Sequence, residues 1–205
     1  MLKFIEFSSQ VGRLRFYIPS EDTFSKEMVI PERLKRVFLR LNVEIIQVKL
    51  IDTPGRLWRF MIGDDISVDR FLIRDSDDRL KTRDYACVQM WIKSKLPVLC
   101  MRDHFEHTWP IMAGMFGFHS KSFRQSVGNI CWSEYLLRKQ SDPYLCDQIL
   151  LKEEIWPFVS DNLSYCCDPD QLRFSPGSYD FPEAKIDEND FVGARYTSIC
   201  NPTIE

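Results

Sequence analysis

Histidine is scarce, with three residues in 205, and the seven cysteines show no metal-binding spacing. No Cys-x-x-Cys occurs, and Cys166 and Cys167 are adjacent, which argues against a thiolate zinc site. His104 and His107 lie three apart, but no neighbouring Cys or Glu-x-x-His pattern supports a metal there. The chain has no Gly-x-Ser-x-Gly elbow, which counts against a Ser-His-Asp hydrolase. It also lacks a glycine-rich P-loop, which counts against that class of ATP-using enzyme. No stretch approaches the ~20 apolar residues that span a bilayer. Glu6 interrupts the N-terminal apolar residues too early for a secretory signal. No long run of one charge sign occurs, and the net charge of −3 lacks the basic excess of a nucleic-acid binder. With no metal pattern for the cysteines, the expectation is reduced thiols in a cytoplasmic protein.

What is present is an ordinary globular composition, 44% hydrophobic and 28% charged. The length predicts one domain over residues 1–205, with 155–205 an irregular tail packed on it. Short apolar runs alternate with amphipathic ones, the pattern of an α/β fold with a largely parallel sheet flanked by helices. Strands are predicted at Leu2–Phe7, Val43–Ile51, Val68–Ile73 and Pro97–Met101, with a turn at Pro54-Gly55. Helices are predicted from Pro31 to Leu41, Thr82 to Ser94, Ser133 to Lys139 and Asp142 to Trp156. The helix at Thr82 is expected to bury Cys87, Val88, Trp91 and Ile92 on one face.

Two polar clusters fall at the carboxyl ends of successive predicted strands, the edge where open α/β sheets bind ligands. The first, Asp75-Ser76-Asp77-Asp78, puts three carboxylates in four positions. Like charges that close repel unless a cation intervenes. A hard divalent ion, Mn²⁺ or Mg²⁺, relieves the repulsion and also binds phosphate oxygens. Arg74, Arg79 and Arg83 flank the cluster and are the alternative counter-charges, which would make it a solvated acidic turn. The second cluster, Arg102-Asp103-His104, reads equally as a structural ion pair or as a substrate contact.

Further motifs stand in a fixed order: Gly55-Arg56-Leu57-Trp58-Arg59-Phe60, Arg74-Asp75-Ser76-Asp77-Asp78-Arg79-Leu80, Arg83, Trp91, Met101-Arg102-Asp103-His104, Ala113-Gly114-Met115-Phe116-Gly117 and Asp147-Gln148. In this order, over about residues 55 to 148, the chain resembles small GT-A-type glycosyltransferases of bacteria and large DNA viruses. These include the domain with which chlorella viruses glycosylate their capsid protein. The resemblance implies a GT-A-like, Rossmann-like fold in which Asp75 and Asp77 hold the metal and the ribose–diphosphate. It implies that Arg59, Arg74 and Arg83 contact the nucleotide or diphosphate, and that His104 belongs to the same donor site. The Ala113-Gly114 loop would approach the donor sugar, with Asp147-Gln148 bordering it. Asp78 departs from the family, which has a small hydroxyl residue there.

The implied reaction moves a hexose from a UDP-sugar to a glycan acceptor, in the cytoplasm, or the host cytoplasm if the source is viral. Departure of the diphosphate needs charge stabilisation, and the acceptor hydroxyl needs a proton acceptor. Asp78, Asp103 and Asp147 are the carboxylates available for that role, and the sequence leaves the choice open. The Asp-Gln pair tilts the reading slightly towards retention of anomeric configuration. A metal-dependent phosphoryl or nucleotidyl transferase would use the same cluster, and a non-catalytic nucleotide-sugar-binding module is the third reading. The short length and abrupt end suggest a domain cut from a longer chain, with a naturally small enzyme as the alternative.

Overall fold

The computed structural model describes residues 12–20, 31–40, 42–49, 53–78, 80–126, 128–129, 131–138, 144–159, 164–168, 178–187 and 189–194. The expected strand at Leu2–Phe7 and the flanking Arg79 lie outside the described residues. The fold is mixed α/β, with a two-stranded sheet, a four-stranded sheet and accompanying helices. The chain divides into two compact units: Met1–Phe71 with Phe118–Phe158, and Leu72–Gly117 with Val159–Glu205.

The first unit contains a β-α-β element. Strand β1 (Arg15–Pro19) pairs in parallel with β2 (Glu44–Val48), and helix α1 (Glu32–Arg40) lies between them in sequence. Parallel strands need such a crossover, since a tight turn cannot reverse the chain twice. The buried face of α1 centres on Phe38, whose ring stacks on Phe16 of β1 at 5.0 Å. Arg15 ties the unit together by donating to Glu44 at 2.7 Å and Asp65 at 2.8 Å.

Pro54-Gly55, expected as a simple turn, instead opens a 3-10 helix running Gly55–Asp64. It buries Leu57, Trp58, Phe60, Ile62 and Gly63. Phe60, Phe123 and Trp132 form a stack, with Phe123 and Trp132 centroids 4.4 Å apart. Gly63 is glycine because a Cβ there would meet Phe123 at 2.8 Å. The remaining helices of this unit are α3 (Ser120–Ser126), α4 (Trp132–Leu137), α5 (Cys146–Leu150) and α6 (Trp156–Val159, whose last residue falls in the second unit), while α2 (Thr82–Ser94) belongs to the second unit. Asp64 caps α4 from outside it, accepting from the Ser133 amide at 2.9 Å and its hydroxyl at 2.6 Å. The long helix predicted from Asp142 to Trp156 is broken: a π-helical turn, Leu151–Ile155, separates α5 from α6.

The four-stranded sheet has the order β3 (Arg70–Arg74), β5 (Met115–His119), β4 (Val98–Met101), β6 (Ser164–Cys167). Strands β4 and β6 pair in parallel, with Cys100 opposite Cys166. Every residue of both is buried, which explains the continuous apolar run in β4. The segment after Pro157, expected to be irregular, thus supplies a sheet strand. Helix α2 (Thr82–Ser94) has the expected bounds and buries Cys87, Val88 and Trp91, together with Arg83 and Asp84. Ile92, expected on that face, is only half-buried.

Cys87 of α2 and Cys167 of β6 form a disulfide. This corrects the expectation that all the thiols are reduced. The bonded residues are 80 apart in sequence, and spacing alone carries no information about which pairs meet. No helix among the described residues is long and apolar enough to cross a membrane.

Candidate functional site

At the end of β3 the chain makes a tight turn, in which the Asp78 amide donates to the Asp75 carbonyl at 3.2 Å. The Asp75 amide in return donates to the Asp78 carboxylate at 3.3 Å. This reciprocal closure turns the three carboxylates towards one another, and one oxygen from each of Asp75, Asp77 and Asp78 lies within 4.8 Å of the others. Asp77 is exposed, Asp75 half-buried and Asp78 buried. Burial, followed by the nearby Asp75 charge, pushes the Asp78 carboxyl up to about 7. The set is all-oxygen and carries excess negative charge, the donor chemistry that suits a hard divalent cation.

Gly114 packs directly against this turn: a Cβ there would collide with the Asp75 carboxylate. The Ala113-Gly114 loop is therefore next to the cluster, and a side chain at 114 would have to displace the Asp75 carboxylate. Ala113 is buried.

The expected cationic partners are largely committed to other carboxylates. Arg74 forms a fork on Asp84, with Nη2 to Oδ1 at 2.7 Å and Nε to Oδ2 at 3.0 Å. Its Nη1 donates to the Ile73 and Phe116 carbonyls. Arg83 forms a second fork on Asp103, both bonds at 2.7 Å, and its guanidinium lies over the Phe181 ring at 4.3 Å. Asp103 is fully buried and also accepts from the Val192 amide at 3.0 Å, with the Lys185 ammonium 3.4 Å away. Such a carboxylate has no open lone pair for an acceptor hydroxyl, so its geometry is that of a structural junction. Arg102 likewise pairs with Asp168 at 3.3 Å in a buried setting. Lys81 reaches the C-terminal segment, pairing with Asp190 at 2.5 Å.

His104 packs against Phe105 and Phe191 in tilted ring contacts, with centroids at 4.2 and 4.3 Å. His107 accepts from the Asp103 amide at 2.9 Å, and burial pushes its imidazole down to about 4. The aromatic partner Phe191, the Lys185 and Val192 contacts to Asp103 and the Asp190 partner of Lys81 had no counterpart in the sequence reading. They come from the segment read as tail, and no motif distinguishes them.

Arg59, Asp147 and Gln148 belong to the first unit. Asp147 and Gln148 are buried on α5, and the Asp147 carboxylate accepts from the Gln148 amide at 3.0 Å. Arg59 Nη1 lies 3.9 Å from Asp147 Oδ2.

No protein-family model, curated protein or solved structure matches the chain.

Proposed function

We propose that the chain is a metal-dependent glycosyltransferase of GT-A-like fold that moves a hexose from a UDP-sugar to a glycan acceptor. The observation that carries this reading is the convergence of Asp75, Asp77 and Asp78 within 4.8 Å at a strand end. Asp75 and Asp77 reach solvent and would hold Mn²⁺ or Mg²⁺. When bound, the ion supplies Lewis-acid stabilisation of the departing diphosphate. In the transfer, the acceptor oxygen bonds to the anomeric carbon as the bond to the diphosphate oxygen breaks, and UDP leaves with the electron pair. The acceptor proton passes to a carboxylate or to the leaving phosphate. Asp78 lies beside Asp75 and Asp77 and is the carboxylate nearest the would-be metal site, whereas Asp103 is enclosed by its partners.

The roles given to Asp147 and Gln148, and with them the slight lean towards retention, rest on the sequence resemblance. A transfer assay on Asp147→Asn examines them apart from metal binding. The cytoplasmic setting belongs to the same reading. It sits uneasily with the Cys87–Cys167 bond, since disulfides persist mainly in oxidising compartments.

Thermal unfolding against UDP, GDP, CMP and ATP, each with and without Mn²⁺, tests the proposal. A ligand that binds only the folded chain stabilises it by about 2.7 kcal/mol at a hundredfold excess over Kd. UDP is expected to stabilise only with Mn²⁺, and Asp77→Ala should abolish that shift while leaving the unliganded melt unchanged, because Asp77 is exposed. A shift for ATP instead would move the reading to phosphoryl or nucleotidyl transfer. No metal-dependent shift with any nucleotide would sink both.

A further inference from the structure

Strands β4 and β6 place Cys100 directly opposite Cys166 in their parallel register, and both thiols are buried, at 0% and 1% exposure. In-register neighbours point to the same face of a sheet, on strands about 4.8 Å apart. That separation falls within the Cα range of about 4.4–6.8 Å from which disulfides form. Successive residues of a strand face opposite sides, so Cys166 and Cys167 are turned away from each other. Cys167 meets Cys87 of α2 on one face, which leaves Cys166 and Cys100 together on the other. The sheet itself thus keeps the existing bond and the thiol pair from reshuffling.

The Cys166 sulfur has two polar neighbours. It is hydrogen-bonded to the Cys100 thiol, and that contact, followed by burial, pushes the Cys100 thiol well above its ordinary range. Cys100 is therefore the protonated member that donates, and Cys166 the one that accepts. The buried Arg102 guanidinium also donates to Cys166, while its Nε lies 3.3 Å from Asp168. Apolar burial alone makes a thiol inert, whereas a cation beside it favours the thiolate that reacts. The proposed transfer reaction uses none of these three side chains.

We infer that Cys100 and Cys166 are a second redox couple, a dithiol that hydrogen peroxide closes into a disulfide between β4 and β6. The Cys166 thiolate attacks one peroxide oxygen, the O–O bond breaks, and hydroxide leaves and takes up a proton as water. Cys166 is thereby oxidised to a sulfenic acid and the peroxide is reduced. The Cys100 sulfur then attacks the Cys166 sulfur, the S–O bond breaks, and the Cys100 proton leaves with the hydroxyl as a second water. Complete burial admits this small uncharged oxidant and excludes bulky thiol reagents.

The test treats the native full-length chain with hydrogen peroxide, raised until the exposed Cys131 has reacted. Remaining thiols are alkylated with N-ethylmaleimide in mildly acidic denaturant, and the peptides are mapped without reduction. Cys100 and Cys166 are expected in one cross-linked pair, with the Cys87–Cys167 pair retained, whereas both should alkylate in untreated protein. The bridge should form about tenfold or more faster than Cys146 loses its thiol, since Cys146 is buried as well. Cys100→Ser should leave Cys166 as a sulfenic acid that dimedone traps, because no thiol remains to resolve it. Cys166→Ser should leave Cys100 as an alkylatable thiol. Thermal melts show whether each variant is folded, and the map of the parent chain decides by itself if one is not. Oxidised Cys131 with Cys100 and Cys166 both still alkylatable would overturn the inference. So would Cys166 carried on to sulfinic acid without a bridge, or dimedone labelling of Cys100 instead of Cys166.

Discussion

At the scale of single residues, the informative group is Asp78. Its carboxyl titrates near the ordinary 3.8 when unfolded and near 7 in the fold, because burial and Asp75 oppose its charge. The folded chain therefore holds an extra proton between those values, and the corresponding stability is full below 3.8 and lost as pH rises to about 7. His107 acts with the opposite sign. Its imidazole is lowered from 6.5 to about 4, so its contribution is present above 6.5 and lost as pH falls towards 4. The two oppose each other in the shared window and flatten the parent profile. Asp78→Asn should remove one side of this balance. In chelator, its stability measured by urea unfolding is expected to rise with pH from about 4 to 6.5 and to exceed the parent's at pH 8. An Asp78→Asn profile identical to the parent's would mean that the Asp78 carboxyl is not raised.

At the scale of elements, Asp103 joins three pieces of chain. It follows β4, takes the Arg83 fork from α2, and accepts from Val192 in the C-terminal segment. Removing one partner of a buried pair leaves the other charge uncompensated, at a typical cost of about 3–5 kcal/mol. Asp103→Ala is expected to lose that much in urea unfolding. The double variant Asp103→Ala/Arg83→Met should recover much of it, since no buried charge remains. A loss under about 1 kcal/mol for Asp103→Ala would show that the pair is not structural and return Asp103 to the candidates for a substrate role. The same junction explains why Arg102-Asp103-His104 was ambiguous in sequence. The motif is visible, but the partners that decide its role lie 20 and 89 residues away.

At the scale of the whole molecule, the Cys87–Cys167 bond spans 80 residues and ties α2 to β6. In the chain-entropy account, closing such a loop in the unfolded ensemble stabilises the fold by up to about 4.5 kcal/mol. Thiol counting in denaturant without reductant is expected to find Cys87 and Cys167 unreactive while Cys100, Cys131, Cys146 and Cys166 react. Reduction should lower the melting temperature, and Cys87→Ala should reproduce that loss. Seven reactive thiols would mean that the isolated protein does not hold the bond.

Local chemistry was readable directly. Helix α2 was legible because its apolar residues recur at helical spacing, and β4 because a short apolar run reads as a buried strand. The acidic cluster was legible because its three carboxylates are consecutive enough to meet within one turn. What local spacing cannot encode is the choice among partners distant in sequence. Arg74, Arg83 and Asp103 looked equally available for a ligand, and only folding assigned them to Asp84 and to each other. The same holds for the disulfide, for strand β6 inside a segment rich in turn residues, and for Gly114, which packs against the carboxylate of an aspartate 39 positions earlier. Sequence by itself determined helix α2, strand β4 and the crowding of Asp75, Asp77 and Asp78, because those depend on neighbours along the chain. Tertiary structure alone decided which charges pair with one another, because burial and pairing depend on residues that only the fold brings within a few ångströms.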